Sequence, residues 1–192
     1  TDFNNDNKVD LIVVGEFMPI TVFANEGGKL VRLENSGISQ FTGWWNSITG
    51  GDFDRDGDVD YIAGNLGLNN NFQVKPEFPL KIYAKDFDNN GSYDAVLGYY
   101  IYAKCYPLYS RDQLIDQIPS MRKKFVRYKD YSGKTLDDIF TANEKKDMEI
   151  FKTNFFASGV LMNEGNNTFR FIPFPEKAQF STINDMVIDD VD

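Results

Sequence analysis

Short apolar runs, each bounded by glycine, asparagine or aspartate, recur along most of this 192-residue chain. Runs of this kind between turn-forming residues are typical of short, buried β-strands. The hydrophobic fraction of 42% and the aromatic fraction of 15% indicate a globular, mainly β fold. The predicted strands are 10–15, 20–24, 29–33, 44–52, 60–64, 81–86, 94–102, 155–163, 169–172 and 180–188.

A polar loop of nine residues precedes three of these apolar runs. The three copies begin at Asp2, Asp52 and Asp86, and each has a carboxylate or an amide at positions one, three, five and nine. Position two is phenylalanine in every copy. Position six is asparagine or glycine, the residue types that most readily adopt a positive φ and so allow the loop to fold back.

This spacing of oxygen donors predicts three calcium sites. Calcium accepts about six to eight oxygen ligands in flexible geometry, whereas magnesium requires a tight octahedron. Side-chain ligands are predicted from Asp2, Asn4, Asp6, Asp10, Asp52, Asp54, Asp56, Asp60, Asp86, Asp88, Asn90 and Asp94. Position seven of each loop is predicted to give its backbone carbonyl, from Lys8, Asp58 and Ser92.

An EF-hand and a metal-free turn are the two alternatives for these loops. An EF-hand shares the first ligand positions, but its position twelve requires a bidentate glutamate. This chain has Val13, Ala63 and Leu97 there, all within predicted strands. Turns rich in aspartate and asparagine also form without a metal. Three matching copies favour the metal site over chance turns.

These repeated loops resemble those of the FG-GAP or VCBS repeat proteins, the group that includes the integrin α-subunit propeller. The resemblance covers residues 1–100 and 155–192, and it implies β-propeller blades with the calcium loop between the first two strands of each blade. We therefore expect residues 1–192 to be a single propeller fragment of about three blades. Thr1 directly precedes the first loop, and residues 190–192 look like the start of a fourth, so a longer parent protein is expected.

Residues 103–154 depart from the repeat pattern and predict a helical insertion within the third blade, which we expect to resume with 155–163 and to end with 169–172. Ser110 and Gln113 fit a capping box at the start of a helix. A second helix is predicted after Pro119, with Met121, Phe125 and Tyr128 on one face. Two further helix starts are predicted at Thr135 with Asp138 and at Thr141 with Glu144. The apolar faces are too small for an independent core, so we expect them to pack on the third blade or on one another.

Composition excludes several function classes. The net charge of −9 argues against nucleic acid as a partner, because phosphate backbones bind basic surfaces. One cysteine and no histidine argue against zinc chemistry and disulfides. No apolar stretch approaches the length of a membrane span. The acidic groups are assigned to metal loops and no nucleophile has a recognisable base, so we expect no enzymatic activity.

The predicted function is that of a calcium-binding propeller module in a secreted or cell-surface protein, with a protein or polysaccharide ligand. The alternative is a non-catalytic part of a carbohydrate-active enzyme. Residues 101–154 contain 11 Lys and Arg against 8 Asp and Glu, and a basic stretch at 122–129 offers a recognition surface. A solvated helix face explains the same stretch without function. At most one of Trp44 and Trp45 is expected to be exposed, because adjacent strand residues face opposite ways.

Overall fold

The computed structural model describes residues 1–189, which form short β-strands, four short helices and the loops between them. The prediction of a mainly β fold is confirmed. The strands are β1 (Leu11–Val13), β2 (Glu16–Pro19), β3 (Thr21–Glu26), β4 (Lys29–Arg32), β5 (Thr42–Trp44), β6 (Ser47–Gly51), β7 (Asp60–Gly64), β8 (Leu80–Lys85), β9 (Asp94–Ile101), β10 (Lys104–Pro107), β11 (Glu149–Thr153), β12 (Gly159–Asn163) and β13 (Phe169–Pro173). The helices are α1 (Arg111–Gln117), α2 (Met121–Lys124), α3 (Tyr128–Tyr131) and α4 (Leu136–Ile139).

The chain divides into two compact units. The repeat unit comprises Thr1–Asn71 and the chain from Thr153 onward, and the inserted unit is Phe72–Lys152. The first and second polar loops belong to the repeat unit, and the third belongs to the inserted unit. Within residues 1–189 the strands form four separate sheets, none of which closes into a ring.

The first repeat forms an antiparallel sheet in the order β1-β3-β4. Leu11 lies opposite Phe23, and Phe23 lies opposite Arg32 on the other side. Gly27 and Gly28, both with positive φ, form the tight turn between β3 and β4. Strand β2 leaves this sheet and pairs with β5 through an irregular register between Glu16 and Met18. The three predicted strands of this repeat are therefore confirmed.

The second repeat forms a four-stranded antiparallel sheet in the order β6-β7-β12-β13. Strand β12 pairs with β7 through Gly159 opposite Ala63 and Leu161 opposite Tyr61. The prediction that 155–163 and 169–172 belong to the third blade is therefore wrong. Strand β7 is buried almost throughout, so its second edge needs a hydrogen-bonding neighbour, and β12 supplies it from about 100 residues away.

Aromatic side chains fill the core of the repeat unit. Phe3 and Tyr61 both pack on Phe169, with ring centroids 5.7 and 6.0 Å apart. Trp45 is only 2% exposed, and its indole ring occupies the space that a Cβ on Gly43 would need. Trp44 is half-buried against Phe17. Trp45 therefore has a packing role, in keeping with the prediction that at most one of the two tryptophans is exposed.

The inserted unit combines one sheet with the four helices. The sheet order is β10-β9-β8-β11, and the helices lie between β10 and β11 along the chain. Strand β11 joins the sheet next to β8, so the strands do not follow in chain order as they do in the second repeat. Leu114, Ile118 and Leu136 of the helical segment pack in one core with Tyr83 and Val96 of the sheet. The helices therefore pack on the strands that flank the third loop, as predicted.

Three local predictions are wrong. The first concerns Tyr128, which is 65% exposed and begins α3, because the preceding helix α2 ends at Lys124. The second concerns 141–147, where Thr141 and Glu144 exchange the predicted hydrogen bonds but the chain forms turns only. The third concerns residues 180–188, which form no strand and do not pair with any of the described sheets. The two capping boxes at Ser110 and Thr135 are confirmed. Residues 190–192, the predicted start of a fourth loop, lie outside the described residues.

Candidate metal centres

The three polar loops share one backbone conformation. Positive φ angles occur at position four and at position six of each loop, where most side chains are disfavoured. The position-four residues are Asn5 (56°), Arg55 (64°) and Asn89 (60°), and the position-six residues are Asn7 (62°), Gly57 (95°) and Gly91 (90°). Position six follows the prediction. Position four was not predicted, because arginine carries no sequence signal for a positive φ.

Carboxylates at position one accept backbone N–H groups from later in the same loop. Asp2 Oδ2, Asp52 Oδ2 and Asp86 Oδ2 accept the N–H of position six at 2.9, 3.1 and 2.9 Å. The side chains at position three accept the N–H of position five at 3.1 to 3.3 Å. These bonds turn the first half of each loop around its own carboxylates, so the short polar side chains fix the loop shape locally.

The aspartate at position nine anchors each loop to the strand that follows. Asp10, Asp60 and Asp94 are 3%, 0% and 4% exposed. Each accepts the N–H of the phenylalanine at position two, at 3.2, 3.0 and 3.0 Å. This bond closes the loop end to end. A buried carboxylate needs such partners because an unpaired buried charge is costly.

In the second and third loops the carboxylates of positions one, three and nine converge. One carboxylate oxygen from each of Asp52, Asp54 and Asp60 lies within 4.8 Å of the other two, and the same holds for Asp86, Asp88 and Asp94. Their chemistry fits a hard divalent cation, since calcium binds carboxylate oxygens at distances of about 2.3 to 2.6 Å. The first loop has Asn4 at position three, so its corresponding set contains two carboxylates and one amide.

The side chains at position five are not among these converging carboxylates. Asp56 Oδ1 and Asn90 Oδ1 accept the N–H of position seven at 2.9 and 2.8 Å. Asp6 accepts the same bond from Lys8 and also forms an ion pair with its ammonium group at 2.8 Å. The Lys8 side chain thus lowers the pKa of the Asp6 carboxyl. Metal ligation stays a prediction for all the predicted residues, including position five and the carbonyls of Lys8, Asp58 and Ser92.

Desolvation, and then repulsion between carboxylates, acts on the pKa values in the two carboxylate clusters. Desolvation, followed by the nearby charge of Asp56, raises the pKa of Asp54. Burial raises the pKa of Asp94, and the charges of Asp88 and Asp86 add to this effect. The N–H of Gly91 lowers the pKa of Asp86. A divalent cation at the centre would favour the ionised form of every one of these groups.

Two asparagines outside the predicted ligand set complete the first and second loops. The backbone N–H of Asn25 donates to Asp10 Oδ1 at 2.8 Å, and that of Asn163 donates to Asp60 Oδ1 at 2.7 Å. Each asparagine Oδ1 accepts a later glycine N–H, from Gly28 or Gly165. The signal for them is present in the sequence, because Asn-Glu-Gly occurs at both 25–27 and 163–165.

The basic stretch in the helices is mostly solvent-exposed. Arg122, Lys123, Arg127 and Lys129 are all exposed. Lys124 differs, because its ammonium group donates to the carbonyl of Ile139 and pairs with Glu144 at 3.2 Å. The stretch therefore contains one cation that holds the fold together and several that are available at the surface.

The comparisons with known proteins are consistent with the loop geometry. Residues 2–63, which contain the first two loops, match a family model described as an FG-GAP-like repeat. No curated protein and no solved structure matched the chain. Among residues 1–189, no helix has the length and apolar character needed to cross a membrane.

Proposed function

We propose that the chain, whose residues 2–63 match an FG-GAP-like repeat, is a calcium-binding module whose three loops each hold one ion. The proposal extends to the third loop at 86–94, which lies outside the matched residues but has the same hydrogen bonds. The side chains of positions one, three and nine are the core ligands, and calcium links each loop to the strand that follows.

One observation carries the proposal: three separate segments reach the same conformation, and two of them direct three carboxylates to one point. A turn that served only to reverse the chain would need neither the buried aspartate nor the converging oxygens. Asp60 and Asp94 are buried at the base of two clusters whose other members are also acidic. Such an arrangement is costly without a cation and favourable with one.

We further propose that the module belongs to a secreted or cell-surface protein and binds a protein or polysaccharide. Extracellular calcium modules have dissociation constants of about 0.1 to 1 mM, so loops of this kind suit a compartment rich in calcium. The exposed cations Arg122, Lys123 and Arg127 favour an anionic ligand at this surface, although the chain as a whole carries a net charge of −9.

Calorimetric titration of the chain with calcium tests the metal proposal. We expect binding of three ions, with one site lost in Asp54→Ala and a different one lost in Asp88→Ala. Asp116→Ala is a matched control, since Asp116 is an exposed aspartate on α1 outside all three loops. Loss of a site in the control, or no calcium binding by the unchanged chain, would refute the proposal.

A further inference from the structure

Two side-chain links join the first loop to the second within the repeat unit. Asn5 Nδ2, at position four of the first loop, donates to Asp58 Oδ1 at position seven of the second, at 2.6 Å. Asn163 Nδ2 donates to the carbonyl of Phe3, at position two of the first loop, at 2.7 Å. The first link is exposed and the second is buried.

Asn163 also holds the second loop directly. Its backbone N–H donates to Asp60 Oδ1 at 2.7 Å, and its Nδ2 lies 3.3 Å from the carbonyl of Val59. The residue is 4% exposed, so water does not compete for these bonds. A buried amide whose donors are divided between two loops fixes the position of one loop relative to the other.

Asn25 occupies the matching place in the first repeat and provides a comparison. It donates its backbone N–H to Asp10 and its Nδ2 to the carbonyl of Val9, at 2.8 and 3.0 Å. These acceptors both belong to the first loop. Asn25 therefore supports one loop, whereas Asn163 supports the same two positions of its own loop and one position of the other.

From this difference we infer that Asn163, assisted by the Asn5–Asp58 bond, couples calcium binding at the first and second loops. The inference rests on the proposed function. An ion that orders the second loop also fixes Val59 and Asp60, which hold the donor Asn163, and it fixes Asp58, which accepts the bond from Asn5. The first loop then loses less conformational entropy when its own ion binds, so binding at one site raises the affinity of the other.

Hydrogen exchange at graded calcium concentrations tests the coupling, because the peptide covering residues 2–10 reports the first loop separately. Asp54→Ala disables the second loop without touching the first. When Asp54→Ala is the only substitution, we expect the calcium midpoint for protection of the first loop to rise roughly 2- to 10-fold. This is the effect of one or two hydrogen bonds. In the Asn25→Ala chain, Asp54→Ala should cause a similar shift. In the Asn163→Ala chain it should cause a much smaller shift, because only the Asn5–Asp58 bond still joins the two loops.

A surface variant provides a second test that does not disturb the core. Asn5→Gly removes the side chain while glycine retains the positive φ of 56° at this position. Asn89→Gly is the matched change at position four of the third loop, where φ is 60°. We expect Asn5→Gly to reduce the shift that Asp54→Ala causes in the calcium midpoint of the first loop. Asn89→Gly should leave that shift unaltered.

Three results would overturn the inference. One is that Asp54→Ala shifts the first-loop calcium midpoint equally in the Asn163→Ala and Asn25→Ala chains. Another is that calcium protects both loops, but disabling one loop never changes the calcium midpoint of the other. Either would leave the proposed calcium sites intact. The third is the absence of calcium protection in every loop of the unchanged chain, which would refute the proposed function and the inference together.

Discussion

The second and third loops have nearly the same internal geometry but belong to different kinds of sheet. In both, the aspartate at position nine accepts the N–H of the phenylalanine at position two at 3.0 Å. Strand β7 after the second loop is followed in its sheet by β12 and β13, in chain order. Strand β9 after the third loop lies in a sheet whose last strand, β11, returns to the far side of β8.

This comparison separates what nine residues determine from what the rest of the chain determines. Aspartate and asparagine side chains bond to backbone groups two to five positions away, so a loop can form wherever its sequence occurs. The identity of the neighbouring strand depends on distant residues instead. Asp60 accepts a bond from Asn163, whereas the bond described for Asp94 comes from Phe87 in the same loop.

Removal of calcium should produce the largest effect and should differ between the units. With dissociation constants near 0.1 mM, about 5 mM calcium stabilises a unit by about 2 kcal/mol for each bound ion. The repeat unit holds two loops and the inserted unit one, so a chelator should cost about 4 and about 2 kcal/mol respectively. Denaturation followed by hydrogen exchange of peptides from each unit measures both. Equal losses in the two units would contradict this count of sites.

Replacement of the buried aspartate at position nine should have the next largest effect on the free energy of unfolding. The measurement is made in chelator, so that no bound metal contributes. Asp60→Ala leaves the N–H groups of Phe53 and Asn163 without their acceptor in a buried site. We expect a loss of about 3 kcal/mol in the free energy of unfolding. Asp94→Ala removes the acceptor of Phe87 alone and should cost about 1.5 kcal/mol.

Urea denaturation of the two variants measures this difference. Asp60→Asn and Asp94→Asn are the matched controls, because an amide oxygen can still accept one of these bonds. A larger loss from Asp94→Ala than from Asp60→Ala would show that the Asn163 bond does not contribute to stability. The difference between the two loops would then lie in topology alone.

Short-range chemistry determines the features that were predictable from the sequence. Loop boundaries, the positive φ at Gly57 and Gly91, and the capping boxes at Ser110 and Thr135 are all confirmed by the structure. Each depends on residues within about five positions of one another. The convergence of Asp52, Asp54 and Asp60 is also local, because a single nine-residue loop brings these groups together.

Long-range pairing was not predictable by the same means. The pattern placed strand β12 with the nearest repeat along the chain, and it pairs instead with a strand that precedes the whole inserted unit. A strand pattern specifies which face is buried but not which partner lies beside it. The repeated Asn-Glu-Gly turn was the available clue, since it marks 163–165 as the equivalent of 25–27 in the first repeat.

Calcium affinity should distinguish the second and third loops by a smaller margin. The second loop offers four side-chain carboxylates, whereas the third has Asn90 at position five. Higher ligand charge raises affinity, so we expect the second site to bind about tenfold more tightly. Calorimetry on the Asp88→Ala and Asp54→Ala chains removes the third site and the second site in turn, and leaves the first site in both. The variant Asn90→Asp should narrow the gap, and an unchanged gap would indicate that position five does not contact the ion.

Charge reversal in the helices should have the smallest effect on stability. Lys123→Glu with Arg127→Glu changes two exposed cations, so the free energy of unfolding should change by no more than about 0.5 kcal/mol. Lys124→Glu is the contrasting variant, because it removes the donor to Ile139 and places a second carboxylate beside Glu144. We expect it to destabilise the inserted unit by about 1 kcal/mol.

The same variants test whether the basic surface recognises an anionic ligand. Binding of the chain to immobilised dextran sulfate, with uncharged dextran as the control, should be lost in the Lys123→Glu and Arg127→Glu double variant. The calcium sites lie on separate loops, so calcium binding by the variant should be unchanged. Retention of dextran sulfate binding after reversal would show that these cations are a solvated helix face, and the ligand of the module would have to be sought on another surface.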